Sequence, residues 1–219
     1  MSIPVLVAWS GGKDSLMALW KLPSEYEVVA LVTNIQASEE RISVHGVRRE
    51  LLDRQAAALG LPLHIVELPD APSNAEYEAR VEAVFAPFRE RGITHVVYGD
   101  LFLPDVREYR DAHLQRMGMQ GVYPLWEQDT RALIQEFIAA GFKTVVTAVD
   151  TTQLDASFVG RELDMAFVRD LLPGIDPCGE NGEFHTFVYA GPLFRQPVAF
   201  TIGKTFWKDD RFCYCDLLP

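Results

Sequence analysis

The sequence predicts an α/β protein in which helices cover a parallel β-sheet. Short apolar runs rich in β-branched residues alternate with segments whose apolar residues recur at helical spacing. Apolar residues make up 48% of the 219 positions, which is enough for a sizeable core and excludes a disordered chain. Polar turns follow several predicted strands, at the edge of a parallel sheet where ligands bind.

Strands and helices alternate in the first part of the sequence. Apolar runs predict strands at residues 5–9, 26–35, 62–68 and 93–98. Helical spacing predicts helices after Gly12, from Val47 to Gly60, and from a cap at Ser73 or Asn74 to Gly92. Because the carboxyl ends of parallel strands meet at one edge, we expect the turns after the first, second and fourth strands to converge on one cleft.

The second part of the sequence is less regular. Helical spacing predicts helices at residues 106–117, 133–138 and 163–171, and an apolar run predicts a strand at 143–149. From Val198 onward the pattern indicates paired strands. We therefore expect two parts, residues 1–124 and residues 125–219, of which the second is a smaller α+β part.

The charge balance excludes some classes of function. Lys and Arg number 20 against 31 Asp and Glu, so the formal net charge is −11. A chain this acidic argues against nucleic acid as a partner, since phosphate contacts need clustered Lys and Arg, and against an anchor on anionic lipid. Any bound anion must be held by a local arrangement of donors.

No segment of the sequence indicates export or a membrane partner. The first apolar run stops at Ser10 without a preceding basic segment, and no stretch approaches the roughly 20 apolar residues that span a bilayer. Three cysteines cannot form a closed disulfide framework, and the spacing of Cys213 and Cys215 argues against structural zinc. We expect a cytoplasmic protein in which Cys178 is a buried small residue.

The turn after the first strand has the composition of an anion-binding site. It reads Ser10-Gly11-Gly12-Lys13-Asp14-Ser15 and opens the first helix; we call residues 10–15 the glycine turn. Paired glycines let the backbone approach a phosphate, and the first N–H groups of a helix point at it. The spacing matches neither G-x-x-x-x-G-K-[ST] nor G-x-G-x-x-G. An ordinary capped turn is the alternative interpretation.

Two motifs together point to a known family. The glycine turn resembles the loop of the N-type ATP pyrophosphatases, or PP-loop superfamily. The stretch CGENGEFHTF at residues 178–187 is similar to the C-terminal signature of diphthine–ammonia ligases. Residues 98–100, 123–126 and 158–164 also match that family, in its order, so that the resemblance covers nearly the whole chain. It implies a Rossmann-like sheet of the adenine nucleotide alpha hydrolase-like kind.

The resemblance implies an ATP-dependent amide-forming reaction. ATP, diphthine and ammonium would give AMP, pyrophosphate and diphthamide, through adenylation of the diphthine carboxylate on elongation factor 2. The implied partners are ATP, ammonium and this protein substrate. Because residue 2 is Ser and the chain has no room for a glutaminase domain, we expect free ammonium or ammonia from a separate enzyme. The sequence leaves the oligomeric state open.

The resemblance also assigns the nucleotide site. Residues 1–124 would bind ATP, and the phosphate grip would comprise Ser10, Gly11, Gly12, Lys13 and Ser15. Asp14 would hold Mg²⁺ together with the phosphates, or would complement the helix dipole. Asn34 would meet adenine or ribose, although Asn is also a common strand-ending residue.

The candidate catalytic and substrate residues lie mainly in the second motif. Catalysis is assigned to Lys13, Glu180, Glu183 and His185. Glu180 and Glu183 would bind Mg²⁺, orient ammonium or accept its proton, or would form only a solvated acidic turn. Substrate contacts are assigned to His45, Gly99, Asp100, Asn181, Gly182 and Thr186. The alternative for His45 is a structural role. The alternative for Asp100 is to cap the segment that follows it.

Other hypotheses stay open from the sequence. A PP-loop enzyme with another small-molecule or tRNA acceptor has the same first motif, although the net charge weakens the tRNA version. A sensor that binds ATP without chemistry is a third hypothesis. Arg107, Arg110 and Arg116 fit a solvated helix face better than a phosphate or acidic partner.

Overall fold

The computed structural model describes residues 2–42 and 44–219 and contains two β-sheets. The first sheet comprises β1 Ile3–Ala8, β2 Tyr26–Gln36, β3 Leu63–Leu68, β4 His95–Val97 and β5 Gln120–Val122. The second comprises β6 Lys143–Asp150, β7 Phe184–Ala190, β8 Thr201–Lys208 and β9 Phe212–Leu218. The helices are α1 Lys13–Trp20, α2 Arg49–Leu59, α3 Asn74–Glu90, α4 Pro104–Arg116, α5 Thr130–Ala139 and α6 Met165–Asp170, with a 3₁₀ turn at Ala156–Phe158.

The first sheet is parallel throughout, with the strand order β3-β2-β1-β4-β5. This confirms the predicted α/β class with a Rossmann-like sheet. The order reverses at β1, whose neighbours are β2 and β4, and a crevice forms at such a reversal beyond the carboxyl ends of the strands. Val5, Leu6 and Val7 of β1 are fully buried, as a central strand covered on both faces requires.

Capping residues set the ends of two helices that the sequence predicts. Of the two candidate caps before α3, Ser73 is the N-cap: its hydroxyl accepts a hydrogen bond from the Glu76 N–H, and the Glu76 carboxylate accepts one from the Ser73 N–H. Gly60 ends α2 in the left-handed conformation, with φ of 74°. The structure confirms both predicted termini.

The second sheet is antiparallel, with the order β7-β6-β9-β8. Paired strands after Val198 were predicted, whereas β5 and β7 were not. β5 has three residues, among them a Gln and a Gly, and is too short for a period to show. β7 begins inside the second motif, where the polar residues suggested a turn, but Phe184, Phe187 and Val188 are buried and pair with β6.

The largest apolar cluster joins the two sheets. It contains Val5 and Val7 of β1, Met17 of α1, and Val146 and Phe184 of the second sheet. The three cysteines are free and buried, and among the described residues no helix is both long and apolar enough to cross a bilayer.

Gly99, directly after β4, packs against the start of α1. A Cβ atom at residue 99 would lie 2.6 Å from the carbonyl carbon and oxygen of Asp14, and 2.9 Å from the Ser15 nitrogen. These are backbone atoms of a helix end and cannot move independently. The contact fixes the spacing between the turns that follow β1 and β4.

We expect Gly99→Ala to lower the free energy of unfolding by about 1–3 kcal/mol, because the added methyl group must displace α1. Chemical denaturation measures this change. Gly92→Ala is the control, since a Cβ there meets nothing within 4 Å and only the positive φ of 80° is strained. Wild-type stability in Gly99→Ala would contradict this prediction.

Candidate active site

One cavity, of about 400 Å³, lies beyond the carboxyl ends of β1, β2 and β4. The turns after these three strands line it, as the sequence predicts, and the start of β7 with its preceding loop forms another wall. The predicted residues that line the cavity are Ser10, Lys13, Asp14, Ser15, Asn34, His45, Gly99, Asp100, Glu180, Gly182, His185 and Thr186. The structure therefore brings most of the candidates from both motifs together.

Hydroxyl groups hold the glycine turn in shape. Ser10 Oγ accepts a hydrogen bond from the Gly12 N–H at 3.2 Å, and Ser15 Oγ donates one to the Gly12 carbonyl at 3.0 Å. The two hydroxyl oxygens are also 3.2 Å apart. Gly11 and Gly12 are buried, and the Gly12 N–H points to the Ser10 hydroxyl, which lines the cavity.

Lys13 supplies a buried positive charge at the base of the cavity. The residue is 1% exposed, its Nζ lies 2.9 Å from Asp14 Oδ2, and it lies 5.3 Å from the centre of the Phe184 ring. Burial alone would lower the pKa of this ammonium group, but the neighbouring acidic groups, above all the Asp14 carboxylate, together outweigh burial and raise the pKa. Lys13 thus stays charged and can attract a phosphate.

Strand β7 is docked directly on the glycine turn. The Lys13 N–H donates to Thr186 Oγ1 at 3.0 Å, and the Val188 N–H donates to the Gly11 carbonyl at 3.0 Å. His45 Nδ1 lies 3.0 Å from the Thr186 carbonyl oxygen, which only accepts, so the proton of this ring lies on Nδ1. Residues of the second motif thereby complete the turn made by the first.

The two glutamates of the second motif have different surroundings. Glu183 is 1% exposed: its Oε1 accepts hydrogen bonds from the Asp176 N–H and the Asn181 side-chain amide, both at 3.0 Å, and its Oε2 accepts from the Asn181 N–H at 2.9 Å. These hydrogen bonds of Glu183 and Asn181 hold residues 176–183 in a closed loop, which we call the signature loop. Glu180 lines the cavity instead, where its Oε1 accepts a hydrogen bond from the Leu101 N–H at 2.8 Å.

Burial raises the pKa of Glu180 to about 7. This carboxyl group can therefore take up or release a proton near neutral pH. Its backbone N–H donates to Asp176 Oδ2 at 2.9 Å. Asp176 does not line the cavity but supports Glu180 from outside the motif, two positions before Cys178, and nothing in the sequence singled it out.

Two histidines beside the glycine turn form a pair of uncharged rings. The rings of His45 and His185 have their centres 4.7 Å apart. Burial lowers the pKa of His45 to about 4, and burial, with smaller contributions from the neighbouring His45 ring and the charge of Lys13, lowers the pKa of His185 well below its usual value. At neutral pH both rings are uncharged.

The opposite end of the cavity is aromatic. Tyr77 and Phe85 of α3, together with Tyr98, line it, and the Asn34 amide donates to the Tyr77 hydroxyl at 3.4 Å. Arg110 lines the same end. Aromatic side chains beside polar groups suit a flat, heteroaromatic ring with polar edges.

The arginines of α4 do not act as one group. Arg110 Nε lies 2.9 Å from Asp100 Oδ2, and its guanidinium lies 4.4 Å from the centre of the Tyr98 ring. Arg107 and Arg116 form ion pairs with Asp111 and Glu78 at the protein surface. Helical spacing does not show which turn of α4 faces the cleft, so the sequence alone does not distinguish Arg110 from the two surface arginines.

The histidine pair predicts a pH dependence of stability. The unfolded chain binds a proton at each ring below a pH of about 6.5, whereas the folded protein excludes it from His45 down to a pH of about 4. The free energy of unfolding should therefore fall as the pH drops through this window, by up to about 1.4 kcal/mol per pH unit for each ring. Denaturation of His185→Asn across this range should show a smaller fall than wild type; an equal fall would contradict the prediction.

Comparisons with known proteins agree with the two motifs. Residues 3–121 match the family model of the diphthamide synthase N-terminal domain, and residues 129–217 match that of the diphthamide synthase C-terminal domain. A diphthine–ammonia ligase of Danio rerio is 25% identical over 93% of this chain and 89% of its own length.

Two further relatives have the same name. The diphthine–ammonia ligase of Bos taurus is 23% identical over 86% of this chain and 79% of its own length. That of Schizosaccharomyces pombe is 24% identical over 90% of this chain but only 36% of its own length. The family resemblance predicted from residues 10–15 and 178–187 is confirmed, and the chain belongs to the diphthamide synthase family.

Proposed function

We propose that this chain is an ATP-dependent ligase that adenylates a carboxylate and joins it to ammonia; its relatives are named diphthine–ammonia ligases. One observation carries the proposal: the glycine turn and the second motif are hydrogen-bonded to each other and line a single cavity. The turn places the buried charge of Lys13 at the cavity, where it attracts phosphates, and Glu180 lines the same cavity.

The residues that line the cavity determine the orientation in which we place ATP. The aromatic end takes the adenine, and Asn34 is placed to meet the ribose or the ring edge. The phosphates then lie over the glycine turn, close to Lys13 and to the neutral ring of His185. Local donors thereby hold a polyanion in a protein whose formal net charge is −11.

Asp14 fits a role in holding Mg²⁺ with the phosphates. Its Oδ1 is buried at the cavity and has no hydrogen-bond partner within residues 2–42 and 44–219. In that same part of the chain no group of three or more His, Cys, Asp or Glu side chains is placed to hold a metal. Mg²⁺ commonly takes one or two carboxylates and completes its shell with phosphate oxygens and water, and it neutralises phosphate charge.

Glu180 is the residue that we assign to proton transfer. Amide formation makes a C–N bond to the nitrogen, breaks the C–O bond to AMP and releases a proton from the nitrogen. The carboxylate of Glu180 faces the cavity and, with a pKa of about 7, accepts that proton at neutral pH. Gly182 and Thr186 line the same wall, which excludes water from a hydrolysable intermediate.

The two parts of the chain would divide the work. We assign ATP binding to residues 1–124, which contain the parallel sheet and the glycine turn, and the acceptor and catalytic groups to residues 125–219. The acceptor that fits the family is the diphthine side chain of elongation factor 2, with free ammonium as the nitrogen source. Such an acceptor would place the activity in the cytoplasm.

The products of ATP test the adenylation chemistry. Incubation with ATP, ammonium and a diphthine-bearing elongation factor should yield AMP and pyrophosphate together with an amide on the acceptor. Nucleotide and phosphate analysis, with mass spectrometry of the acceptor, measures both. Release of ADP and phosphate would refute adenylation, and ATP binding without turnover would favour the sensor hypothesis.

The two glutamates should respond differently to the same substitution. Glu180→Gln removes the proton acceptor, so kcat should fall by about 100-fold or more with little change in the KM for ATP or in Tm. Glu183→Gln replaces an acceptor of three hydrogen bonds inside the signature loop, so Tm should fall as well. Steady-state kinetics and thermal denaturation measure these effects; equal losses of Tm in both variants would contradict the assignment.

A further inference from the structure

We infer that Gln55 of α2 is a positioning residue that sets the orientation of the Gly11–Gly12 peptide for binding of the ATP phosphates. This inference rests on the proposed function, since it concerns how the same turn meets pyrophosphate. Gln55 lies outside both motifs and behind the cavity wall. It acts on the site only through hydrogen bonds to other residues.

Every polar atom of the Gln55 side chain is used. The residue is 0% exposed, and its Oε1 accepts a hydrogen bond from Trp9 Nε1 at 2.7 Å. Its Nε2 donates to the Gly11 carbonyl at 2.9 Å and to the Val188 carbonyl at 2.6 Å. A buried amide is costly unless its partners are in place, so this set of bonds specifies one arrangement of the strand ends around it.

The bond to the Gly11 carbonyl matters for anion binding. A carbonyl oxygen is partly negative and would repel a phosphate, whereas the N–H of the same peptide would attract it. Gly11 has a φ of 75°, and its carbonyl points to Gln55 and to the Val188 N–H, away from the cavity. Because the two groups of a planar peptide point in opposite directions, the Gly12 N–H points towards Ser10 Oγ on the cavity side.

Trp9 determines which way the amide faces. Its indole N–H can only donate, so the atom of Gln55 next to it must be the oxygen. The nitrogen of the amide is then directed at the two carbonyl groups. The Gly11 and Val188 carbonyl groups only accept, so they hold the nitrogen in place from the other side. Without the Trp9 donor the amide oxygen would lose its partner, and the amide would be held less firmly against the Gly11 carbonyl.

A comparison of ligands with and without a pyrophosphate group tests the inference. Gln55→Met keeps the length of the side chain and removes its hydrogen bonds. Its affinity for ATP and for inorganic pyrophosphate should fall roughly ten-fold, the loss expected from misdirecting one hydrogen bond to a charged group. Its affinity for AMP should change less than about two-fold, because AMP carries no pyrophosphate. Isothermal titration calorimetry measures all three.

A second variant of α2 separates positioning from general destabilisation. Leu51 is fully buried in the same helix, so Leu51→Ala lowers Tm without removing a bond to the glycine turn. Its affinities for ATP and AMP, measured below its Tm, should equal those of wild type. Selective loss of ATP and pyrophosphate affinity in Gln55→Met supports the inference. An unchanged ratio of ATP to AMP affinity overturns it.

Trp9→Phe keeps the inference testable if Gln55→Met does not fold. It leaves Gln55 in place and removes the indole donor together with part of a buried ring that lines the cavity. The affinities for ATP and pyrophosphate should fall by a larger factor than the affinity for AMP, and by less than in Gln55→Met. Weakening of ATP and AMP by the same factor would overturn the inference. The proposed ligase reaction fails on a different result, namely wild-type protein that binds ATP and releases no AMP in the acceptor assay.

Discussion

The site depends on the joint between the glycine turn and strand β7. The Gly11 carbonyl accepts the Val188 N–H, and the Lys13 N–H donates to the Thr186 hydroxyl. These bonds connect positions more than 170 residues apart in the chain. They turn the peptide of Gly11 away from the cavity and bring the second motif against the first. The parallel sheet alone would supply a turn and a helix end, but not the wall that carries Glu180.

Much of the fold could be predicted because its signals are local. The apolar runs of the first sheet, the capping box at Ser73 and the left-handed Gly60 each depend on residues within one element. β5 and β7 escaped because their strand character is not local. β5 has only three residues, too few to show an alternation of apolar and polar positions. The polar residues at the start of β7 are extended because they pair with β6.

The members of the site were predictable from residue types, but their geometry was not. Adjacent motif positions suggested similar roles for Glu180 and Glu183, yet the first lines the cavity and the second is enclosed by backbone donors of the signature loop. Gln55 carries no signal, because a single amide in an amphipathic helix resembles any other until its partners are known. Sequence spacing orders the residues along the chain but does not determine which way a side chain turns.

The exchange of hydrogen bonds across the joint also limits how the chain can be divided. Cut near residue 124, the first part would keep its five strands and its glycine turn. The Gly11 carbonyl would lose the Val188 N–H, and the Lys13 N–H would lose its Thr186 partner. Both backbone groups would then bond to water, and the turn would no longer be held in this conformation. A transplanted nucleotide module would therefore have to include β7. In this chain the boundary expected near residue 124 would not be the boundary of the binding unit.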